Sequence, residues 1–538
     1  MQQTKYIGAL ILGLLSTEPS FGSSNSSSKS AQQYATENQE GLFWFQNVPV
    51  GNSGMPLIMF KLFPEIFPDI WHEDWVTEIG LFPHPDPDHI LPYGLGWNKG
   101  SKALVDLPGL RDIRMQVINF SCGSCHTGRV IDDDNEVQLL IGAPNTQMDI
   151  GLWRAKLAKT VNDPRYTLEN FEKALATKEN GWLFRSTLML PQELLETTVF
   201  QSKGQLILDG IKDAVSATYD GVHSFLGVMG YDDQTRKFLD QGALGQLEGG
   251  FGSAVSKLVP KDFAYYEVEE RQLLLEDYFP RHRVVSDIMS VWRQSDRRLA
   301  QWDGNITAKT LRNLGAEIGV IPNPDLVSYE NVEYNTKFIS DLPPPAYPFP
   351  IDQSKLSEGR AIFESACKSC HNEQTPLVDL ETVKTDPGRS PGLTPLGREL
   401  LSDLILKACI DKKNPDCNLE NQDVITDRSA PQGYLAGPLD GIWARAPYLH
   451  NGSIPTLAQL LQPSKRANSF YRGNLSYDKT EVGFSWQEKE YPYAQLYDTE
   501  LSGYNNGGHS DLDIFFGGID FEKDSHKRDA LLEYLKTL

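Results

Sequence analysis

The sequence lacks any apolar run that approaches the ~20 residues of a membrane-spanning helix, so no membrane span is expected. Basic residues are also few, since 50 Lys and Arg stand against 72 Asp and Glu and give a net charge of -22. This acidity disfavours nucleic acid and anionic membrane surfaces as partners. Hydrophobic residues make up 40% of the sequence and aromatic residues 10%, and this content excludes bulk disorder. The length of 538 residues suffices for two or three folded domains.

The first 22 residues have the three regions of a secretory signal peptide. Lys5 supplies a basic start, residues 6–15 (YIGALILGLL) are apolar, and residues 20–22 (SFG) offer small side chains near a cleavage point. We therefore expect a signal peptide over residues 1–22 and a periplasmic or secreted protein; the alternative is a buried N-terminal helix. Residues 23–40, rich in Ser, Gln and Asn, are predicted to form a flexible leader.

A proline-rich stretch divides the remaining chain. Residues 341–350 (DLPPPAYPFP) contain five prolines, which favour an extended and semi-rigid backbone, and we interpret residues 341–352 as a linker. The sequence thus predicts an N-terminal domain over residues 41–340 and a C-terminal domain over residues 353–538. Apolar periodicity predicts helices at residues 166–178, 205–215, 354–366 and 527–538.

Two short motifs carry most of the functional information. Residues 122–126 (CGSCH) and 367–371 (CKSCH) both follow the pattern C-x-x-C-H, which is typical of covalent c-type haem attachment. The two thiols can bond the two vinyl groups of one porphyrin, and the adjacent imidazole can bind its iron. We therefore predict two covalently bound c-type haems, one in each domain. The predicted attachment residues are Cys122, Cys125, Cys367 and Cys370, with His126 and His371 as axial iron ligands.

Other interpretations of the cysteines explain less. A thioredoxin-like C-x-x-C site needs no following His, and it needs a βαβ setting that this sequence does not predict. A single zinc site would have to join two motifs that are far apart in the chain, and it would leave both histidines without a role. The two remaining cysteines, Cys409 and Cys417, are expected to form a local disulfide, with two free buried thiols as the alternative.

The second axial ligand decides whether an iron only carries electrons or also binds a small molecule. No Met follows Cys367, which disfavours Met/His ligation at the second haem. Paired glycines let the backbone approach a flat cofactor closely, so we favour His509, in the segment YNNGGH, as the second ligand there. His450 is the alternative ligand, and His526 is expected to lie in solvent.

No residue stands in an equally ligand-like context for the first haem. His72, His84 and His89 lie upstream among aromatic residues and prolines, and Met148 lies downstream. We therefore hypothesise an open sixth position beside an apolar pocket, suited to dioxygen or peroxide chemistry. The alternative is a six-coordinate iron that uses one of those histidines. Two residues between the motifs are candidates for an electron relay, with ordinary core or surface positions as the alternative: Trp292 and Trp302.

Several segments resemble the di-haem c-type rubber oxygenases and, more distantly, the bacterial di-haem cytochrome c peroxidases. The resemblance extends over most of the mature chain. The APYLHNGS portion is also similar to the peroxidases, whereas the proline-rich linker and the NNGGH segment favour the oxygenase-like branch. The segments that carry the resemblance are NFSCGSCHTG, SVWRQ, QWDGN, LPPPAYPFPID, GPLDGIWARAPYLHNGSIPTL, YDKTEVGF, YDTELSGYNNGGH and LLEYLKTL.

The resemblance implies a mainly α fold with two cytochrome c-like haem domains, long irregular insertions and little β-sheet. It also implies an active first haem with oxygen bound opposite His126, and an electron-transfer second haem with His509 opposite His371. The peroxidases use a Met after the second motif, and the absence of that Met here disfavours a peroxidase mechanism.

The function most consistent with these features is that of an exported di-haem oxidoreductase. It would activate dioxygen, or peroxide, at the N-terminal haem and oxidatively cleave a hydrophobic substrate. One alternative is a di-haem peroxidase that reduces hydrogen peroxide, and an alternative of another class is a non-catalytic periplasmic electron carrier. The expected partners are a small-molecule oxidant and a small redox protein as electron donor, with no nucleic acid.

Overall fold

The computed structural model describes most of the chain beyond residue 29. The predicted signal peptide, and the predicted leader up to residue 29, lie outside the described residues. Within the described ranges, no helix is both long enough and apolar enough to cross a membrane. The described residues are 30–52, 54–84, 91–98, 115–177, 190–228, 246–248, 277, 285–297, 299–304, 306, 309–320, 326–374, 377–390, 394–411 and 433–538.

Helix and strand are more evenly mixed than the sequence predicted. The structure is 43% helical and 13% strand, so the prediction of a mainly α fold built from two cytochrome c-like haem domains is wrong. Strands of two to five residues are too short to produce a clear alternation of apolar and polar residues, which is why the sequence pattern missed them. The α-helices described are Ala31–Glu37, Gln39–Asn47, Leu57–Phe60, Phe63–Ile66, Trp75–Glu78, Cys122–Cys125, Ile150–Val161, Leu168–Thr177, Leu190–Val228, Lys309–Val320, Tyr329–Ser340, Leu356–Ile362, Leu380–Val383, Pro395–Asp411, Leu457–Leu461, Leu512–Phe515 and Ser525–Leu535.

The strands of the described residues form one three-stranded sheet and five two-stranded sheets. In the three-stranded sheet, Val117–Phe120 pairs antiparallel with Met55–Pro56 on one side and with Leu95–Asn98 on the other. This central strand leads directly into the first C-x-x-C-H motif. The strands are Met55–Pro56, Leu95–Asn98, Val117–Phe120, Thr127–Ile131, Val137–Ile141, Gln246–Glu248, Val285–Asp287, Leu377–Asp379, Gly433–Leu435, Ser469–Arg472, Tyr477–Asp478, Gly483–Phe484 and Gln495–Asp498.

One apolar core joins residues from both sides of the proline-rich segment. In this core Phe45 and Trp292 lie with Trp443 and Leu531, although the chain between them passes through residues 341–352. A second core contains residues of the N-terminal half alone, such as Trp71 and Trp153. The predicted domain boundary stays a prediction, and the packing adds that the two halves share buried side chains.

Three of the four predicted helices are confirmed with small shifts at their ends, whereas the helix predicted at residues 205–215 lies within the much longer helix Leu190–Val228, which has a kink at Lys203. The helix that precedes the second motif is followed by a π-helical turn, Phe363–Cys367, that delivers the first cysteine of that motif. The observed spans are Leu168–Thr177, Leu190–Val228, Leu356–Ile362 and Ser525–Leu535.

Helix Leu356–Ile362 packs closely on the terminal helix Ser525–Leu535. A Cβ atom at Gly359 would lie 2.0 Å from the carbonyl oxygen of Ala530, so this crossing requires a glycine. Burial of Leu531 and Leu532 on the terminal helix stabilises the pair. The second motif therefore starts from a firmly packed helix.

Candidate haem site

Both C-x-x-C-H motifs line one cavity of about 550 Å³. This volume is typical of small-molecule and cofactor sites. The tertiary structure thus brings together two motifs for which the sequence predicted separate domains. The motif residues on the cavity wall are Cys122, Cys125, His126, Cys367, Cys370 and His371.

The first motif forms a single helical turn, Cys122–Cys125, directly after the central strand of the three-stranded sheet. The backbone N–H of Ser121 donates a hydrogen bond to Oγ of Ser124 at 3.0 Å, which closes the start of the turn. The buried side chain of Asn145 donates to the carbonyl oxygen of Ser124 at 2.8 Å, and its backbone N–H donates to the carbonyl oxygen of Cys125 at 2.8 Å. These bonds fix the direction in which the two thiols project.

His126 is oriented by a backbone carbonyl. Its Nδ1 lies 2.9 Å from the carbonyl oxygen of Met289. Because a carbonyl oxygen only accepts, Nδ1 carries the proton and Nε2 keeps a free lone pair. Burial lowers the pKa of His126 to about 4, against the opposing effect of the Met289 carbonyl, so the ring is neutral at pH 7. A neutral imidazole with a fixed tautomer is the form that binds a metal ion.

Burial keeps three of the four motif thiols protonated at neutral pH. Burial raises the pKa of the Cys122 thiol. It also raises the pKa of the Cys125 thiol and that of the Cys367 thiol, each to about 12. The structure describes the motif cysteines as free thiols. A redox-active C-x-x-C pair needs a lowered thiol pKa, so this environment argues against the thioredoxin-like alternative.

His371 repeats the geometry of His126. Its Nδ1 lies 3.0 Å from the carbonyl oxygen of Gly437, and its backbone N–H donates to the carbonyl oxygen of Cys367 at 2.9 Å. Burial lowers the pKa of His371, so this ring is also kept neutral. Both motifs therefore present Nε2 of a neutral imidazole.

A second imidazole faces His371. The ring centres of His371 and His509 are 6.4 Å apart. Two metal–nitrogen bonds of about 2 Å each, plus roughly 1 Å from each nitrogen to its ring centre, give a separation of about 6 Å for two imidazoles on one metal ion. The observed distance therefore fits an iron held between the two rings. Burial, and next the nearby His371, lower the pKa of His509 to about 3, so this ring is neutral as well.

The loop that carries His509 is held in an unusual backbone conformation. Gly508 has φ +87°, and a Cβ atom there would lie 2.5 Å from the carbonyl oxygen of Val383. The backbone N–H of His509 donates to that same carbonyl at 2.9 Å. Arg466 donates to the carbonyl oxygens of Gly508 at 2.7 Å and His509 at 3.3 Å. The His509 ring stacks on Phe515 at 4.5 Å, which fixes its plane.

His450, the alternative ligand, is engaged elsewhere on the cavity wall. Its ring stacks on Tyr434 at 4.1 Å, and its Nε2 lies 3.2 Å from the Tyr434 hydroxyl. Burial lowers the pKa of His450 to about 3, with the neighbouring guanidinium of Arg389 acting in the same direction. This geometry favours His509 over His450 opposite His371.

Three of the ligands considered for the first haem, His72, His84 and Met148, do not line the cavity. His72 is 3.1 Å from Glu78, with which it can form an ion pair when protonated, and His84 contacts the ring of Tyr93. Met148 is buried in the N-terminal core. Among the described residues, the histidines that line the cavity belong to the motifs or to the C-terminal half: His126, His371, His450 and His509.

Two other predictions concern residues that the structure does not describe. His89 and Cys417 lie outside the described residues, as does the side chain of Cys409, so the predicted disulfide is not described. His526 lies at the surface, where its ring pairs with Glu358 at 3.2 Å. No cluster of three or more His, Cys, Asp or Glu suited to a metal ion occurs within the described ranges.

Residues 285–297, which we call the bridging segment, connect the surroundings of both motifs, and the sequence analysis missed their role. The backbone N–H of Asp287 donates to the carbonyl oxygen of His450 at 2.7 Å, and the carbonyl of Met289 faces His126. Trp292, in the middle of the bridging segment, is fully buried and donates from its indole N–H to the carbonyl oxygen of Ile141. The sequence carries no signal for these contacts, because they are made by backbone carbonyl groups, which every residue has.

The predicted relay residues occupy different positions. Trp302 lines the cavity and donates from its indole nitrogen to the carbonyl oxygen of Asp287 at 2.9 Å. Trp292 is a core residue that lies behind the cavity wall, with the guanidinium of Arg445 5.6 Å from its ring centre. Electron relay by either residue stays a prediction.

A buried carboxyl group on the cavity wall was also missed. Oε1 of Glu317 accepts a hydrogen bond from the side-chain amide of Asn331 at 2.6 Å, and Oε2 accepts one from the backbone N–H of Ser328 at 3.1 Å. Burial raises the pKa of Glu317 to about 8 despite these bonds, so the group holds a proton at neutral pH. The ionised carboxylate of Glu317 would raise the pKa of Cys122. Because such an effect acts at short range, the carboxyl group lies near the first motif.

Comparisons with known protein families match two parts of the chain. Residues 433–471 match the family described as RoxA-like, cytochrome c-like, and this match covers Tyr434 and His450. Residues 40–126 match the Y4iN-like domain, and that match ends at His126, the last residue of the first motif. The first match supports a cytochrome c-like, haem-related domain and the RoxA-like part of the predicted resemblance. The wider di-haem peroxidase superfamily stays a prediction.

Three proteins of Sinorhizobium fredii, all described as uncharacterised, are similar to the chain. The protein y4iM is 35% identical over 285 residues, which is 48% of this chain and 66% of y4iM. The protein y4iJ is 25% identical over 500 residues, 79% of this chain and 77% of y4iJ. The protein y4iN is 30% identical over 105 residues, 18% of this chain and 50% of y4iN. The chain is thus similar to a RoxA-like, cytochrome c-like family and to these y4i proteins.

Proposed function

We propose that the protein is an exported di-haem c-type oxidoreductase with one closed and one open iron site. The supporting observation is an asymmetry in the cavity that both motifs line. His371 has a second imidazole, His509, at a ring separation of 6.4 Å, whereas no described histidine outside the motif lines the cavity in a comparable position beside His126. Two axial ligands close a haem iron to small molecules, and one leaves a position for them.

Haems attached to these motifs would supply electron transfer and the activation of dioxygen or peroxide. The chain's own residues would supply the positioning. The carbonyl oxygens of Met289 and Gly437 hold the protons of His126 and His371 on Nδ1 and so direct each Nε2 into the cavity.

The wall of the cavity supports an apolar organic substrate near the first motif. Phe45, Phe120 and Ile150 line this part, and each is buried. An apolar wall desolvates a hydrocarbon chain favourably and excludes water from the reacting groups. Together with the RoxA-like match, this supports oxidative cleavage of a hydrophobic substrate as the reaction.

Glu317 adds a protonated group to the same wall. Its carboxyl proton is held at neutral pH by burial, and its oxygens are fixed by Asn331 and Ser328. A fixed carboxylic acid in an apolar cavity can donate a hydrogen bond to a polar atom of a bound molecule.

Two measurements on the exported protein test the proposal. A denaturing gel stained for covalent haem, with a haem-to-protein ratio from the pyridine haemochrome spectrum, is expected to give two haems per chain. Carbon monoxide added to the reduced protein is expected to shift the Soret band of one haem in two. Absence of covalent haem would reject the proposal outright.

The remaining outcomes separate the alternatives. No Soret shift with carbon monoxide would assign the protein to the class of electron carriers. Turnover of hydrogen peroxide with a reduced cytochrome donor, and no oxygen consumption with a polyisoprene or other alkene substrate, would assign it to the peroxidases.

A further inference from the structure

The cavity wall has the opposite charge to the protein as a whole. The chain carries a net charge of -22, yet the described residues that line the cavity include five arginines and two acidic side chains. One acid, Asp287, is paired with Arg472, and the other, Glu317, holds a proton at neutral pH. Arg389 is paired with the buried Asp303 at 2.9 Å, so the excess of positive charge in the cavity lies on the other arginines. The five arginines are Arg154, Arg297, Arg312, Arg389 and Arg445.

Three of these arginines form a connected group. Arg297 lies at the end of the bridging segment, and its carbonyl oxygen accepts a hydrogen bond from Nη2 of Arg312 at 3.3 Å. Burial, and next repulsion from Arg297, lower the pKa of Arg312 to about 10 and that of Arg445 to about 9. Three positive charges at short range repel one another, so a nearby negative group would stabilise these three guanidinium groups.

The guanidinium groups have buried nitrogen atoms without any partner. Nε and Nη2 of Arg297, Nε of Arg312 and Nε of Arg445 are all inaccessible to solvent and make no hydrogen bond. A guanidinium nitrogen left in this state destabilises the folded protein unless an acceptor is present. Asp440, whose charge raises the pKa of Arg297 and of Arg445, already pairs with Arg293 at 3.2 Å.

The position of the group selects the kind of acceptor. Arg445 lies next to the second motif, because its charge lowers the pKa of His371 and its Nη1 donates to the carbonyl of Pro438 at 3.1 Å. Arg312 lies on helix Lys309–Val320, whose residue Glu317 faces the first motif. Arg297 lies between these two arginines. A haem presents two carboxylates at one edge, and a guanidinium binds a carboxylate through two parallel hydrogen bonds.

We propose that Arg297, Arg312 and Arg445 form a carboxylate-binding cluster that holds the propionate edges of both haems, with Arg297 shared between them. Arg312 binds the propionates on the side of the first motif, and Arg445 binds those on the side of the second. The shared guanidinium places the two propionate edges next to each other and couples the two irons electrostatically. This inference rests on the proposed function, because it requires that both motifs carry haem.

The test is a spectroelectrochemical titration that resolves the midpoint potential of each haem. A positive charge near a haem disfavours its oxidised form, so the loss of one lowers the potential. Arg297→Gln is expected to lower both potentials, Arg445→Gln mainly that of the bis-histidine haem, and Arg312→Gln mainly that of the haem that binds carbon monoxide. Arg297→Lys keeps the positive charge but loses the paired N–H donors of the guanidinium group, and it is expected to shift both potentials less than Arg297→Gln does.

The control is Arg360→Gln. Arg360 precedes the second motif, but its side chain is 67% exposed and pairs with Glu364, so solvent screens its charge and both potentials are expected to stay unchanged. If Arg297→Gln does not fold, the other two variants still test the cluster, because Arg312→Gln and Arg445→Gln are each expected to lower the potential of a different haem. Equal shifts in those two variants, or none, would overturn the cluster.

A free anion from solution is the other source of a carboxylate. Formate added to the wild-type protein is expected to leave both potentials unchanged, because the propionates already occupy the guanidinium groups. A saturable shift with formate would overturn the proposal in favour of an exchangeable anion. Two haems per chain with unmoved potentials would reject the cluster alone, whereas a chain without covalent haem would reject the proposed function itself.

Discussion

The two C-x-x-C-H motifs have the same residue pattern and the same local geometry, yet their surroundings differ. In each motif the histidine directs Nδ1 to a backbone carbonyl, at 2.9 Å for His126 and 3.0 Å for His371. Opposite His371 the chain supplies the imidazole of His509, whereas the surroundings of the first motif supply apolar side chains and the carboxyl group of Glu317. The motif predicts where a cofactor attaches, and under the proposed function the loops that pack against the motif determine what that cofactor can do.

The difference comes from the C-terminal loops. His509 follows Gly508, whose positive φ of +87° allows the loop to pass within contact distance of Val383. The first motif is approached instead by the helices Lys309–Val320 and Tyr329–Ser340, which contribute Glu317 and Asn331. Neither of these two helices contains a histidine, so they provide no imidazole beside the first motif.

Removal of the thiols tests the comparison most strongly. The paired substitutions Cys122→Ala with Cys125→Ala, and Cys367→Ala with Cys370→Ala, are each expected to reduce the haem content from two to one per chain, because each motif attaches its own porphyrin. The pyridine haemochrome spectrum of denatured protein measures this ratio. A pair that leaves the ratio at two would show that its motif does not attach haem.

Removal of the second imidazole should make the two sites alike. His509→Ala is expected to raise the number of haems that bind carbon monoxide from one to two per chain, because the iron beside His371 loses its other axial ligand. His450→Ala serves as the matched control and is expected to leave the number at one, since that ring is stacked on Tyr434. The reverse result, measured from the Soret band, would assign the ligand to His450.

The glycine before His509 should be more sensitive than its neighbour. Gly508→Ala places a Cβ atom 2.5 Å from backbone atoms of Val383 and Thr385, and we expect a loss of about 1–3 kcal/mol in the free energy of unfolding. Gly507→Ala meets only the tip of the Asn505 side chain at 2.6 Å, which can move, so its loss should be smaller. Urea unfolding of both variants gives the comparison, and equal losses would contradict it.

The last comparison concerns the carboxyl group near the first motif. The pKa of Glu317 is raised from 4.5 to about 8 by burial. Between these pH values the folded protein holds a proton that the unfolded chain has released, so stability falls as the pH rises through this window. Glu317→Gln is expected to remove that fall, as measured by urea midpoints at pH 5, 7 and 9. Glu330→Gln, on an exposed position, should keep the wild-type pH profile.

Sequence analysis could predict the attachment residues because covalent chemistry requires fixed residue types at fixed spacing. It also predicted His509 as a ligand, since paired glycines beside a histidine indicate a close approach of the backbone, and the structure brings this ring to 6.4 Å from His371. It did not identify Glu317 or the arginine cluster, because an isolated Glu or Arg has no periodic signal. The prediction of a mainly α fold was wrong because short hairpins, such as Thr127–Ile131 with Val137–Ile141, leave little trace in an apolar pattern.

By itself, the sequence determined which atoms can bond a porphyrin and its iron, because the C-x-x-C-H spacing is local and survives any arrangement of the rest of the chain. Only the tertiary structure decided that both motifs face one cavity, that His371 has an imidazole partner, and that the cavity wall is positively charged in an acidic protein. These properties depend on contacts between residues more than a hundred positions apart, such as Met289 with His126 and Arg472 with Asp287. Packing and burial fix such contacts, and they change the charge and the accessibility of each group they enclose.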